Sequence, residues 1–429
     1  MKEVFKKVIY FILRNESKLV LWKYKPKIIA ITGSIGKTST KDAVYAVFSK
    51  ITYVRKSEKS YNSEIGLPLT ILGCPNGWNN PINWFKNIIR GLWLFLYPHK
   101  YPKWLILEVG VGKMGDMKKT ALWLKTDVVI ITAIGETPAH IEFFNSKKQL
   151  IEEKSALIKT LKKDGLLVLN GDDEAVAEMK SKTKSHTLTF GFTEGVDLVG
   201  SALNISYNEH DIPEGIVFRV DAEGSSLPIF IEGVFGTNHV YASMAALAVV
   251  YGFKLNTIDA VGALKNYEAP PGRMRLLIGI NNSLIIDDTY NSSPFACESA
   301  LKTLNEIKGG RKIAVLGDML ELGKHTIDAH KNIGHIAKEN ADVLVVVGPR
   351  AIDIKNGAME SRMAKKNIFE FLNSSEAGEF MKIFIQPNDL ILIKGSQGMR
   401  MERVVEAILL DKNNKEKLLV RQEKEWQKR

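Results

Sequence analysis

The sequence predicts an α/β protein with two sheets. A central domain with a mostly parallel sheet carries a phosphate loop (P-loop), and a C-terminal Rossmann-like α/β domain follows. Three observations predict this. Short apolar runs such as KIIAIT, VVIITAIG and GLLVLN alternate with amphipathic stretches, as buried parallel strands and their covering helices do. The junction TGSIGKTST, residues 32–40, joins the first of these runs to a helical stretch. The segment YEAPPGRMR, with Pro270, Pro271 and Gly272 adjacent, then separates a second strand-and-helix series: LIIDDTY, KIAVLGD, VLVVVG and LILIKGS.

Bulk properties set the limits. At 429 residues the length suggests two or three domains, and 45% hydrophobic with 25% charged residues is ordinary for a folded globular chain. Only Cys74 and Cys297 are present, which excludes a disulfide scaffold and a cysteine-rich zinc site and fits a reducing cytoplasm. The formal charge of +11 is concentrated in residues 1–27, 74–102 and 411–429, leaving the rest near neutral. A nucleic-acid partner calls for a basic face built into the fold, and none is evident. Basic appendages fit solubility or an anionic membrane surface better.

In chain order, residues 1–26 form a basic amphipathic helix. Its stretch VFKKVIYFILRNESKLVLW suits either packing on the body or lying on a membrane surface. The run Val8–Leu13 is too short for a signal core or a membrane span. Residues 27–269 form the central domain. Within it the segment 74–102 carries Trp78, Trp84 and Trp93 and suits a core helix, an interface or a headgroup boundary. Between Asp197 and Gly233, alternating patterns such as GIVFRVDAE predict antiparallel strands at a sheet edge. Residues 270–410 form the C-terminal domain, and 411–429 a charged tail.

TGSIGKTST is the chemical centre. A strand, a glycine turn and a helix start leave backbone amides pointing outward, where the helix dipole favours an anion. Gly33 and Gly36 allow the turn, Lys37 can meet phosphate oxygens, and the Thr38 hydroxyl is a hard ligand for Mg²⁺. The spacing G-x-x-G-K-T is tighter than the usual G-x-x-x-x-G-K-[ST].

This loop resembles that of the Mur ligase superfamily, ATP-dependent enzymes that form amide bonds in cell-wall precursor synthesis and folate glutamylation. Further stretches match in the same order: KSYNSEIGLPLT, LILEVG, AHIEFF, EEKSAL, GRMR, DDTYNSSP, LGDMLELG and LIKGS. The last group looks most like the branch that adds D-alanyl-D-alanine to a UDP-muramoyl tripeptide. The resemblance runs from about Lys27 to Met401.

It implies a P-loop ATPase central domain and a ligase cycle. ATP phosphorylates a carboxylate of the muramoyl-peptide acceptor, and the amine of D-alanyl-D-alanine then attacks the acyl phosphate. By resemblance Gly33, Ser34, Ile35, Gly36, Lys37, Thr38 and Ser39 hold the ATP phosphates, and Thr38 with Glu108 holds Mg²⁺. His140 holds a second Mg²⁺, with Lys154 carbamylated by CO₂ fourteen residues on. Arg273 reaches the phosphates from the hinge. Asn238, Asp288, Tyr290 and Asn291 contact the nucleoside, and Asn62, Asp318, Glu321, Lys394 and Ser396 the substrates. The helix GTNHVYASMAAL departs from the family's H-N-x-x-N by ending in Ala242, which puts the adenine contacts in doubt. His325 and His330 match no metal motif and read as surface residues.

The branch also carries an N-terminal domain for the uridine diphosphate. The loop's early position here leads us to expect a handle bound differently, or a lipid-linked acceptor with residues 1–26 and 74–102 on a membrane. Two other readings remain open: a folylpolyglutamate synthase-like or other Mur-type amino acid ligase, and a nucleotide-binding scaffold at a membrane surface. The glutamine-fed amidating relative is weakened because its branch has a four-cysteine zinc ribbon.

Overall fold

The computed structural model describes residues 2–58, 61, 64–135, 144, 146–423 and 426, with side chains from residue 5 onward. Helix α1 (Lys2–Tyr24) precedes an alternating series: β1 (Lys27–Thr32), α2 (Lys37–Ile51), β2 (Val54–Lys56), α3 (Gly66–Leu72), α4 (Pro81–Leu96), β3 (Trp104–Glu108), α5 (Asp116–Ala121), β4 (Thr126–Ile131), α6 (Lys147–Ser155), β5 (Leu161–Asn170), α7 (Glu174–Ala177) and β6 (His186–Gly191). Then come β7 (Leu198–Tyr207), β8 (Pro213–Ala222) and β9 (Ser225–Glu232), closed by α8 (Thr237–Gly252) and α9 (Thr257–Leu264). These strands make one nine-stranded sheet in the order β2-β3-β1-β4-β5-β6-β7-β8-β9. It is parallel as far as β7 and antiparallel beyond, as the alternating pattern predicts.

Both faces of this sheet are covered. Ile28 and Ala30 of β1 join a core with residues of α1, α3 and α4, while Ile29 and Ile31 join residues of α2 and α8 on the other side. Double-sided burial explains why these strands read as unbroken apolar runs. From β1 the chain crosses to β2 on one side, whereas from its neighbour β4 it moves on to β5 on the other. A crevice therefore opens at the carboxyl ends of β1, β3 and β4.

The second sheet has six strands, β10 (Arg275–Ile278), β11 (Leu284–Asp288), β12 (Lys312–Gly317), β13 (Val343–Val347), β14 (Ile368–Phe371) and β15 (Leu390–Lys394), in the order β10-β11-β15-β12-β13-β14. Only β10 runs antiparallel. Helices α10 (Pro294–Glu306), α11 (Thr326–Asn340), α12 (Ile352–Glu360), α13 (Ser374–Phe384) and α14 (Glu402–Ile408) cover it. The two-sheet α/β architecture agrees with the fold class read from the sequence.

Residues 411–423 are not a free tail. Leu419 is buried, and Arg421 forms an ion pair of 2.6 Å with buried Glu402 while donating to the Thr289 carbonyl. Charge counting missed this because a tail's composition carries no trace of a distant partner.

Helix α1 packs through Ile9, Leu13 and Val20 and is tied to α4 at one end. Lys23 Nζ donates to the carbonyls of Leu94, Phe95 and Tyr97, placing a cation on the negative end of α4. Between the helices Glu16 is buried, and neither carboxylate oxygen has a partner. Burial pushes its carboxyl up to about 7. The folded state thus holds a proton that the unfolded chain releases nearer pH 4.5, so stability is full below that pH and falls as pH rises through about 7. Glu16→Gln should leave the melting temperature close to the parent's at pH 4 and raise stability at pH 8 by about 1–2 kcal/mol. Thermal melts at the two pH values check this.

Candidate active site

The β1–α2 loop is held by the end of β4. Ser34 and Ile35 amides donate to the Ala133 carbonyl at 2.7 and 3.0 Å, and the Thr132 hydroxyl donates to the Ile35 carbonyl at 2.6 Å. Gly33 lies at φ +148°, and a Cβ there would sit 2.0 Å from Thr132 Oγ1. Gly36, at φ +83°, is the residue before α2. Gly33→Ala should therefore disturb the loop, lowering stability by about 2 kcal/mol and ADP affinity at least tenfold, as melts and calorimetric titration with ADP would read.

Around this loop cations outnumber acids. Lys37 Nζ donates to the Gly33 and Ser34 carbonyls at 2.9 and 3.3 Å. Burial lowers its pKa, with Glu108 opposing and Arg273 adding to the effect. Lys154, at the end of α6 and 3% exposed, donates to the same Gly33 carbonyl at 2.8 Å. Burial first and the Lys37 cation second push its amine well below the ordinary lysine value, Glu153 opposing. Glu153 is itself committed to the amides of Gly115 and Met117. The carboxylate facing these cations is Glu108, at the end of β3, which accepts from Thr38 Oγ1 at 3.1 and 3.3 Å.

One cationic neighbour escaped the sequence reading. Lys41, one helical turn beyond Lys37 and 1% exposed, lies 3.7 Å from Glu108 and 3.8 Å from Asp42. The i, i+4 spacing from Lys37 was its only signal, and any amphipathic helix supplies such pairs.

The hinge brings the second sheet to the loop. Arg273 stacks its guanidinium 3.9 Å from the Tyr290 ring centroid, and its buried Nε has no hydrogen-bond partner among the described residues. Its carbonyl accepts from His239 Nε2 at 2.9 Å, so His239 Nδ1 accepts from the Tyr267 hydroxyl. Burial lowers the His239 pKa to about 4, which keeps this link neutral. β11 pairs with β15 in a register that sets Asp288 opposite Lys394, and their side chains form a 2.6 Å ion pair. Lys394 also donates to the Asn291 carbonyl.

A cleft is lined by Ser34–Gly36 and Ser39 from the loop, Asn238 from α8, Arg273 from the hinge, and Asp288, Asn291 and Lys394 from the second sheet. Residues separated by more than 350 positions thus share one wall. A smaller recess beside it, lined by Thr132, Asn170, Asn238 and Tyr241, lies next to the position where Ala242 replaces an amide.

Other expected residues stand apart from this cleft lining. Asp318 Oδ1 accepts from the Arg350 and Ala351 amides at 3.1 and 2.8 Å, which secures the turn into α12, and burial raises its pKa. Ser396 Oγ accepts from the Leu320 amide, and Glu321 adopts φ +64°. Asn62 and His140 lie outside the described residues. Asp173 accepts from the amides of Ile134 and Gly135, directing the chain out of β4 towards that stretch. His325 is exposed as expected, but His330 is fully buried, a correction to its reading as a surface residue. Its Nε2 accepts from the Met319 amide and its Nδ1 donates to the Thr326 carbonyl.

These residues fit a nucleotide with Mg²⁺. Among the described residues the buried Ser34 hydroxyl and Arg273 Nε have no partners beside a cluster of cations, as an absent polyanion would leave them. Among the described residues no three His, Cys, Asp or Glu side chains converge. The donors in question here are instead a hydroxyl, a carboxylate and phosphate oxygens, which suit a hard cation.

Comparison with known proteins gives the same direction. The family models described as "Mur ligase middle domain" and "Mur ligase, glutamate ligase domain" match residues 31–250 and 272–397. The UDP-N-acetylmuramoyl-tripeptide–D-alanyl-D-alanine ligase of Bacillus subtilis is 28% identical over 403 residues, covering 92% of this chain and 79% of its own. The solved MurF ligase of Thermotoga maritima in complex with ADP has a TM-score of 0.76 at 25% identity, covering 93% of this chain and 83% of its own. Mycobacterium tuberculosis folylpolyglutamate synthase complexed with ADP shares the fold, with a TM-score of 0.65 at 15% identity, covering 92% of this chain and 94% of its own.

Proposed function

Because the chain belongs to the Mur ligase family, we propose that it is an ATP-dependent ligase joining a muramoyl-peptide carboxylate to D-alanyl-D-alanine in peptidoglycan precursor synthesis. The observation that carries this reading is the single cleft in which the phosphate loop, Arg273 and the Lys394–Asp288 pair meet, with Lys154 buried against the loop.

A carboxylate is a poor electrophile, so one acceptor oxygen first takes the γ-phosphoryl group and ADP leaves. The amine then attacks the acyl carbon, inorganic phosphate departs and the amine loses a proton. Lys37 exchanges its loop carbonyls for phosphate oxygens, and the loop amides and helix start hold the same charge. Arg273, already flattened on Tyr290, reaches the phosphates from the hinge. Thr38 and Glu108 would hold one Mg²⁺, with His140 and a carbamylated Lys154 for a second; such ions neutralise charge on the moving phosphoryl group. Carbamylation needs an uncharged amine, and the burial of Lys154 beside another cation supports it. Asn238, Asp288, Tyr290 and Asn291 face the nucleoside, while Asn62, Asp318, Glu321, Lys394 and Ser396 serve the substrates. Peripheral contact with a membrane surface through residues 1–26 and 74–102 belongs to the same reading.

Mass spectrometry of products tests it. With ATP, Mg²⁺ and a UDP-linked or lipid-linked muramoyl-tripeptide, the acceptor should gain the mass of D-alanyl-D-alanine. Glutamate with a folate should give no product and no ADP release. Folate-dependent turnover would transfer the chain to the other branch, and ATP hydrolysis indifferent to both substrates would point to a scaffold.

A further inference from the structure

Among the described residues no helix is long and apolar enough to cross a membrane. Yet α1 and α4, packed side by side on one face of the first sheet, each present two apolar rows rather than one. In α4, Trp84, Gly91 and Leu94 point inward. Ile82, Phe85, Ile89, Leu92, Trp93 and Leu96 recur at helical spacing on the opposite side, and all are exposed; Phe85 is 62% and Leu96 67% exposed. In α1, Ile9, Leu13 and Val20 are buried while Val8, Phe11, Leu19 and Trp22 look outward, Trp22 at 71% exposure. A helix buried on one side against its own protein gains nothing from a second apolar row left in water.

The charge pattern identifies what covers these rows. Lys7 and Lys18 are exposed 11 residues apart, which on a helix of 3.6 residues per turn puts them along one edge of the apolar row, and Lys25 is exposed just past the helix end. Lys86 and Arg90 are exposed on α4 beside its outward row. Residues 74–102 contain no acidic residue, and Glu16 of α1 is buried. Apolar and aromatic groups bordered by lysines that have no acidic partner among the described residues complement a surface that is anionic at the boundary and hydrocarbon beneath.

Resting on the peripheral contact included above, we propose that the outward rows of α1 and α4 form one docking face for an anionic phospholipid bilayer, entered to headgroup depth and not crossed. The orientation follows from the fold. Only two residues, Lys25 and Pro26, join α1 to β1, so α1 must run back along the sheet. At about 1.5 Å per residue it is roughly 35 Å long, well beyond the six-residue β1. Its amino-terminal half therefore points towards the carboxyl end of β1, the end from which the phosphate loop leaves. Docking holds the cleft alongside the headgroups, where a lipid-carried acceptor would be presented.

Vesicle flotation of the full chain tests the face separately from catalysis. The chain should float with vesicles in which about a third of the lipid is phosphatidylglycerol, and stay behind with pure phosphatidylcholine or at high salt. Replacing Lys7, Lys18 and Lys25 with glutamine should weaken binding roughly a hundredfold, each lysine contributing about fivefold. Phe85→Glu combined with Trp22→Glu should abolish it. Melting curves and ligation of a UDP-linked acceptor by the same variants should match the parent, so loss of the ligase reading would show in the parent and not in this comparison. No flotation at low salt overturns the proposal, as does equal binding to neutral vesicles. A dimer in sedimentation velocity that Phe85→Glu dissolves, with no vesicle binding, would assign the face to a second copy instead and also overturn it.

Discussion

Lys154→Ala is expected to lower kcat at least about a hundredfold, with little change in the affinity for ADP. The amine donates to the Gly33 carbonyl from a buried position, and the phosphate loop keeps its other supports when the side chain is removed. If the working group is a carbamate, millimolar short carboxylates such as formate or acetate should recover part of the rate by placing an anion in the vacated space. Lys154→Arg should be as slow as alanine and should gain nothing from them. A ¹³C-bicarbonate-treated parent should show a carbamate resonance that Lys154→Ala lacks. The sign with pH follows from the depressed pKa: burial and the Lys37 cation favour the uncharged amine that carbamylation needs, and activity should fall as acid protonates it. An active Lys154→Arg enzyme would mean that the residue works as a cation, ending the carbamate proposal.

Lys37→Ala is expected to remove turnover, lowering kcat/KM by roughly a thousandfold or more, because no other flexible cation begins inside the phosphate loop. Its stability signature should be the reverse of a structural loss. Lys37 is half-buried, and desolvation of its ammonium lowers its pKa, so the nucleotide-free fold carries a cost that alanine removes. The variant should melt no lower than the parent without nucleotide and should lose most of the upward shift that Mg²⁺-ADP gives the parent. Lys37→Arg should fail too, since its larger planar head must enter a turn with only two residues between its glycines. Parent-like stabilisation of Lys37→Ala by ADP would place the phosphates elsewhere.

How much was legible depended on whether a feature is local. The strands of both sheets were readable because burial on both faces leaves unbroken apolar runs, and the antiparallel edge because one-sided exposure leaves alternation. Gly33, Gly36, Lys37 and Thr38 were readable because a strand, a tight turn and a helix start are contiguous in sequence. Lys41 was not, since a helical lysine looks the same whether it faces water or Glu108. His330 was misread because its two partners are backbone groups, which leave no mark on residue identity. The bonds from the Arg350 and Ala351 amides to Asp318 Oδ1 were equally out of reach, since both donors are backbone groups more than thirty residues away.

The sequence by itself determined the two-sheet fold, the phosphate loop and the family, because each rests on contiguous patterns that any folded form of this chain must satisfy. Only the tertiary structure decided that Lys154 is buried on the Gly33 carbonyl, that Lys394 pairs with Asp288 in the wall facing the loop, and that α1 and α4 each keep an apolar row in solvent. Those outcomes depend on strand order, register and helix rotation. They arise from packing free energy summed over distant residues, which no short stretch of sequence encodes.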